Sequence, residues 1–173
     1  LQAPNMPALR EYRLARLQEQ IIRHDCAGLL LFDPLNIRYA TDATNMQLWT
    51  THNPARACFV PPQGNVILWD FHNCEHLSQH LPLIGEVRHG ASFFYFETGD
   101  RTSAAADEFV AVILDLMARF AGKDKRLAVD RIEHVGYAAL RANDVDVLEG
   151  QVLTEHARSV KNANELNAMR CAI

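Results

Sequence analysis

Three histidines are the first residues able to do chemistry. His72, His76 and His80 recur at i, i+4 and i+8, with Glu75 beside them. On a helix this spacing puts the three imidazoles on one face, and two neutral imidazoles a turn apart can hold a transition metal. A catalytic centre also needs a further oriented ligand and partners that fix the rings. A solvated helix face that carries histidine without metal has the same spacing, so both readings stand at this point.

Other catalytic patterns are missing. HExxH, GxSxG, the P-loop and the dinucleotide-binding glycine pattern do not occur. No cysteine has a nearby histidine in a nucleophile context. Asp33, Asp42, Asp70, Asp100 and Asp130 each follow a strand or sit in a turn, where aspartate commonly caps or turns the chain. The segment by itself is therefore expected to supply no catalytic residue and no metal ligand.

The stretch NIRYATDATNMQLWTTHNPAR, residues 36–56, reads differently. It shows no clear period, and a structureless connection of about twenty residues is long for a compact domain. Such loops tend to carry function, and large aromatics with arginine are what interfaces and ligand clamps use. Tyr39, Trp49, His52 and Arg56 are the candidates. On the other reading, Tyr39 and Trp49 cover the sheet edge while Arg56 pairs with an aspartate. The run Phe93-Phe94-Tyr95-Phe96 fits core filling, with a hydrophobic lid or dimer contact as its alternative.

The elements that must position these residues follow from apolar periodicity. PALREYRLARLQEQIIRH reads as a helix with Pro7 in its first turn and Leu14, Leu17 and Ile21 inward. AGLLLF (27–32) is a strand covered on both faces, ended by Asp33-Pro34. RACFVPPQGNVILWDF (56–71) is an antiparallel hairpin. HNCEHLSQHL reads as a helix cut short by Pro82, GEVRHG as a brief strand, and ASFFYFETGD as a loop or strand. TSAAADEFVAVILDLMARFAG is a helix capped by Thr102 or Ser103 and ended by Gly122, with Phe109, Ile113, Leu116 and Phe120 on its stripe. RLAVD is a strand, HVGYAALRAN a helix, VDVLEG a strand and QVLTEHARSVK a helix. This order predicts an α/β fold, a mixed sheet of about five or six strands with helices on both faces.

The chain closes on RSVKNANELNAMRCAI. Asn162 fits an N-cap, Glu165 stands where a capping-box carboxylate reaches back, and Leu166, Met169 and Ile173 share one stripe. With no closing signal after it, this reads as the start of a further helix. We expect a domain over residues 1–160, and over 161–173 the first turns of a missing C-terminal domain.

A net charge of −4 without a basic face gives no footprint for nucleic acid. The chain carries no run of about 18 apolar residues, so no membrane span is expected. Cys26, Cys58, Cys74 and Cys171 form no CxxC pair, and Cys26 and Cys58 adjoin apolar runs, which suits buried thiols at those two in a reducing compartment and a cytoplasmic location.

Together, AGLLLFDPLNIRYATD, RLAVDR and ARSVKNANELNAMRCAI resemble the N-terminal domain of the creatinase, prolidase and aminopeptidase P family, the pita-bread metalloenzymes. The first holds the family's Asn-x-x-Tyr-x-Thr-Gly turn as Asn36, Tyr39 and Thr41, with Asp42 replacing the glycine. The resemblance implies a homodimer whose N-terminal domain, itself non-catalytic, packs against its partner and shapes the partner's substrate pocket. It implies two divalent metal ions held entirely by the second domain, and a small-molecule or short-peptide substrate. Arg56 occupies the position from which creatinase-like members bind a substrate carboxylate. The resemblance implies a parent that is an Xaa-Pro peptidase or creatinase-like hydrolase, or a dimethylsulfoniopropionate lyase. YATDATNMQLWTTHNP looks less like a proline dipeptidase than like the branch that includes such lyases, where Trp49 would face a sulfonium cation. The rival expectation is a stand-alone protein-binding module that uses residues 36–56.

Overall fold

A computed structural model of the chain describes residues 3–45, 47–89, 91–121 and 124–173. Helix α1 (Met6–Arg23) begins where the Asn5 side chain accepts the Ala8 N–H at 3.2 Å, with Pro7 in the first turn. Its Leu14, Leu17 and Ile21 are buried, as their spacing requires. Strand β1 (Gly28–Leu31) follows, wholly buried.

Asp33 then does two things. It ends the strand, and its Oδ1 accepts from Leu35 N at 2.8 Å and Asn36 N at 3.1 Å to cap α2 (Pro34–Thr41). The long loop expected over 36–56 is therefore corrected. It holds α2 and a second short helix, α3 (Gln47–His52). Asp-Pro starts a helix as readily as it stops a strand, because proline at the first helical position forfeits no hydrogen bond.

The hairpin of β2 (Ala57–Val60) and β3 (Val66–Asp70) is antiparallel, Ala57 opposite Trp69. The helix expected over residues 72–81 is also corrected: only a 3-10 turn forms, Glu75–Leu77. Asn73 sits at φ 63°, a left-handed geometry that breaks helical continuity, and Cys74 supplies no side-chain cap. After β4 (Ile84–His89), Phe93 and Phe94 are buried, while Tyr95 and Phe96 on the short helix α4 (Tyr95–Thr98) stay 72% and 81% exposed. The aromatic run thus divides between core and surface.

Helix α5 (Thr102–Ala121) buries Phe109, Ile113 and Leu116. Its expected stop at Gly122 lies outside the described residues. The chain goes on through β5 (Arg126–Val129), α6 (His134–Ala142), β6 (Asp146–Glu149), α7 (Gly150–Ser159) and α8 (Ala163–Cys171).

Six strands form one sheet in the order β4-β3-β2-β1-β5-β6. β1–β2 and β2–β3 are antiparallel, and the other three pairings are parallel. Successive side chains of β1 point to opposite faces. Leu30 and Phe32 enter a core under α5 and α6, while Leu29 and Leu31 enter a second core under α1, α2 and α7. Burial on both sides is why the strand reads as an unbroken apolar run. Gly150, where β6 passes into α7, lies so close to β5 that a Cβ there would stand 2.5 Å from the Val129 carbonyl carbon. This contact seats α7 against the end of β5. Cys26 and Cys58 are buried thiols, and none of the four cysteines is in a disulfide. Among the described residues, no helix is long and apolar enough to cross a membrane.

Candidate functional site

The four candidate residues do not form one site. Arg56 is fully buried, and its guanidinium turns inward onto Asp70, Nη2 at 3.3 Å from Oδ2. Its Nε lies 3.0 Å from Oδ1 in an ion-pair contact without hydrogen-bond alignment. Nη1 donates to the Asn45 carbonyl at 3.0 Å. Asp70 is saturated as well: it accepts from Asn45 Nδ2 at 3.0 Å, Ser78 Oγ at 2.7 Å and Phe71 N at 2.9 Å. The fork expected to meet a substrate carboxylate is thus filled by a carboxylate of the chain itself, the alternative the sequence had left open. Arg56 ties the segment before α3 to the end of β3.

Trp49 stands above this network. Its ring meets Phe71 edge-on at 5.1 Å and Phe94 at 6.4 Å, and it is partly exposed. His52, one turn further along α3, is exposed. Arg131 donates to the Thr51 carbonyl at 3.3 Å, holding the end of α3 near the β5–α6 connection. Trp49 and His52 form a surface, and Arg56 is its buried anchor.

Tyr39 lies elsewhere, under α1 and the bend between α7 and α8. Its hydroxyl donates to the Ala157 carbonyl at 3.3 Å, and burial pushes its pKa up. The Arg13 guanidinium covers its ring at 5.1 Å and reaches Glu165 at 2.9 Å. Glu165 was expected to close a capping box. Asn162 does cap α8, accepting Glu165 N at 2.9 Å, but the Glu165 carboxylate is drawn to Arg13 instead. A full charge offers more than a neutral backbone N–H.

A buried chain of contacts joins these regions. Asp130 accepts from Phe32 N at 2.8 Å, Asp33 N at 3.1 Å, Arg131 N at 2.7 Å and Asn36 Nδ2 at 3.0 Å. The Asn36 amide oxygen accepts from Arg158 Nη1 at 2.9 Å. Asn36, Asp130 and Arg158 come from the three sequence segments that carry the resemblance. Sequence reasoning missed Asp130 and Arg158 as partners of Asn36, since separations of 94 and 122 residues leave no periodic signal. Asp42, the departure from the family turn, sits at φ 67° and is held by Arg10 at 2.7 Å. Aspartate tolerates the left-handed region that glycine favours, so the turn keeps its geometry.

No metal site is present among the described residues, where no group of three or more His, Cys, Asp or Glu side chains converges. His72, His76 and His80 are exposed and share no helical face. The donors needed for a metal do not fit together here.

The model of the Creatinase/Prolidase N-terminal domain matches residues 13–160. The chain belongs to this family. It is 46% identical over 173 residues to the dimethylsulfoniopropionate lyase DddP of Roseovarius nubinhibens, covering all of this chain and 39% of that protein. It is 46% identical over 172 residues to the same-named lyase of Roseobacter denitrificans, covering 38% of it. The chain therefore spans under two-fifths of the length of these relatives. Among solved structures, the dipeptidase PepE of Mycobacterium ulcerans superimposes with a TM-score of 0.61 over 93% of this chain and 39% of PepE, at 17% identity, a likeness of fold.

Two outcomes test the network. Arg56→Ala should destabilise the chain by about 3–5 kcal/mol in urea unfolding, because it strands a buried carboxylate; a loss under about 1 kcal/mol would contradict the pairing. Burial pushes the Asp130 pKa up to about 6, against four donors that pull it down. The folded state then keeps a proton that the unfolded state releases. Stability from this group is full below about pH 4 and lost as pH rises through about 6. Carbon-detected NMR should find the Asp130 midpoint near 6, and a midpoint at or below about 4 would contradict it.

Proposed function

We infer that the chain is the non-catalytic N-terminal domain of a dimethylsulfoniopropionate lyase, serving dimerisation and shaping the substrate pocket of a partner subunit. The observation that carries this reading is the 46% identity along the whole chain to two such lyases, against 17% for a peptidase of the same fold. The chain spans under two-fifths of the length of these lyases, so the larger part of such a protein lies outside it. Elimination of dimethyl sulfide and any divalent metal ions would then belong to the rest of the protein.

Trp49 is the residue of this domain best suited to meet a sulfonium substrate. A cation is attracted to the negative face of an indole ring. Phe71 and Phe94 fix that ring, and Arg56 fixes the segment leading into it. In this role Arg56 positions Trp49 and does not touch substrate. His52 lies at the edge of the same surface.

Leu166 at 42% and Met169 at 54% leave the apolar side of α8 open, which fits a helix packed against another surface, while Ile173, expected on the same stripe, lies beyond the helix end at Cys171. The test is dimethyl sulfide release. The full-length protein should release it from dimethylsulfoniopropionate as a dimer by sedimentation, and the 173-residue chain alone should not. Trp49→Ala in the full-length protein should raise KM by about tenfold, and Trp49→Phe should restore part of it. Turnover by the isolated chain, or cleavage of Xaa-Pro dipeptides in place of the sulfonium compound, would overturn the reading.

A further inference from the structure

On the sheet face opposite α5, a cleft of about 360 Å³ opens between α1, α2 and the α7–α8 bend. Its charged lining is one-sided. Arg13, Arg38, Arg158 and Lys161 face a single carboxylate, Glu165. Arg13 is spent on that carboxylate, and the second Glu165 oxygen is closed off from solvent without a hydrogen-bond partner. Arg13 and Glu165 therefore offset one another, and the charge left on the lining is positive. Arg158 commits Nη1 to Asn36 and Glu155, and Lys161 Nζ contacts the Arg158 carbonyl. Among the described residues Arg38 has no ion-pair partner. The uncharged walls are the Tyr39 ring and Leu35, which is 59% exposed.

We propose that this cleft binds a small carboxylate with a short apolar body, its charge between Arg38, Arg158 and Lys161 and its carbon chain against Leu35 and Tyr39. The volume lies at the lower end of small-ligand sites, roughly 300–1,000 Å³. Two guanidinium groups offer planar forks that match a carboxylate, and Lys161 adds a point charge. Such a ligand would bridge α2 to the bend that sets the direction of α8. The proposal goes beyond the lyase reading and does not depend on it, since no residue of the Trp49 surface takes part. A carboxylate can come from solution or from an acidic side chain elsewhere in the full-length protein, and the experiment separates the two.

The experiment titrates sodium propionate into the 173-residue chain and into the full-length protein, followed by NMR of the Arg side-chain N–H groups. Sodium chloride at matched ionic strength is the control. In the 173-residue chain, saturable shifts at Arg38 and Arg158 should appear with a Kd on the order of 1 mM. Arg38→Gln combined with Lys161→Gln should weaken binding at least about tenfold, since each charged hydrogen bond contributes about that factor. Saturation in both forms identifies a soluble ligand. Saturation in the 173-residue chain alone, with Arg38 already shifted in the full-length protein, identifies an internal acidic side chain. Shifts equal to those in sodium chloride, or unchanged binding in the double variant with its circular dichroism intact, overturn the proposal. Arg38→Lys, which keeps the charge but not the fork, guards against loss of fold and should bind more tightly than Arg38→Gln and less tightly than the unaltered chain.

Discussion

One buried carboxylate organises this domain. Asp130 ends the central parallel strand β5, and its two oxygens take four donors from three parts of the chain. Burying a carboxylate is costly unless its lone pairs are met, so the surrounding backbone has little freedom. Phe32 and Asp33 must leave β1 with their N–H groups turned towards Asp130. Asn36 must stand on the first turn of α2, which the Asp33 cap and Pro34 ensure. Arg158 then closes on the amide oxygen of Asn36 and brings the end of α7 over the same spot.

From that point the two candidate regions diverge. Towards α8, Tyr39, Arg13 and Glu165 set how the last helix leaves the domain. Towards α3, a second buried pair, Arg56 and Asp70, holds the segment that carries Trp49. Both use the same physics: a charge is taken out of water and paired with an opposite charge from another part of the chain, at Arg56–Asp70 and Arg13–Glu165. Such contacts fix position.

The strands and long helices were legible in the sequence because burial imposes a period. AGLLLF, VILWD and the α5 stripe name their own environments, and α/β order with two covered faces follows from them. The first turn of α8 was legible through Asn162. Short elements were not legible, among them the eight-residue α2, whose Asp33-Pro34 start read as the stop of a strand. Near Asn73 and Cys74 the apolar spacing suggested a helix, but one left-handed residue broke it, and α3 is too short to display a period. The candidate site was half legible: residue types marked Tyr39, Trp49 and Arg56 as unusual. Their partners Ala157, Phe71 and Asp70 lie 118, 22 and 14 positions away, and composition alone could not choose between a substrate and an internal aspartate for Arg56.

Asp130, Asn36 and Arg158 act as one unit, joined by the Asn36 side chain. A double-mutant cycle of Asn36→Ala and Arg158→Ala, read by urea unfolding of the 173-residue chain, measures it directly. Coupling of about 1 kcal/mol or more is the expected result for residues sharing a buried network. Additivity within about 0.3 kcal/mol would show that the two side chains act independently, and the account would fail at its centre.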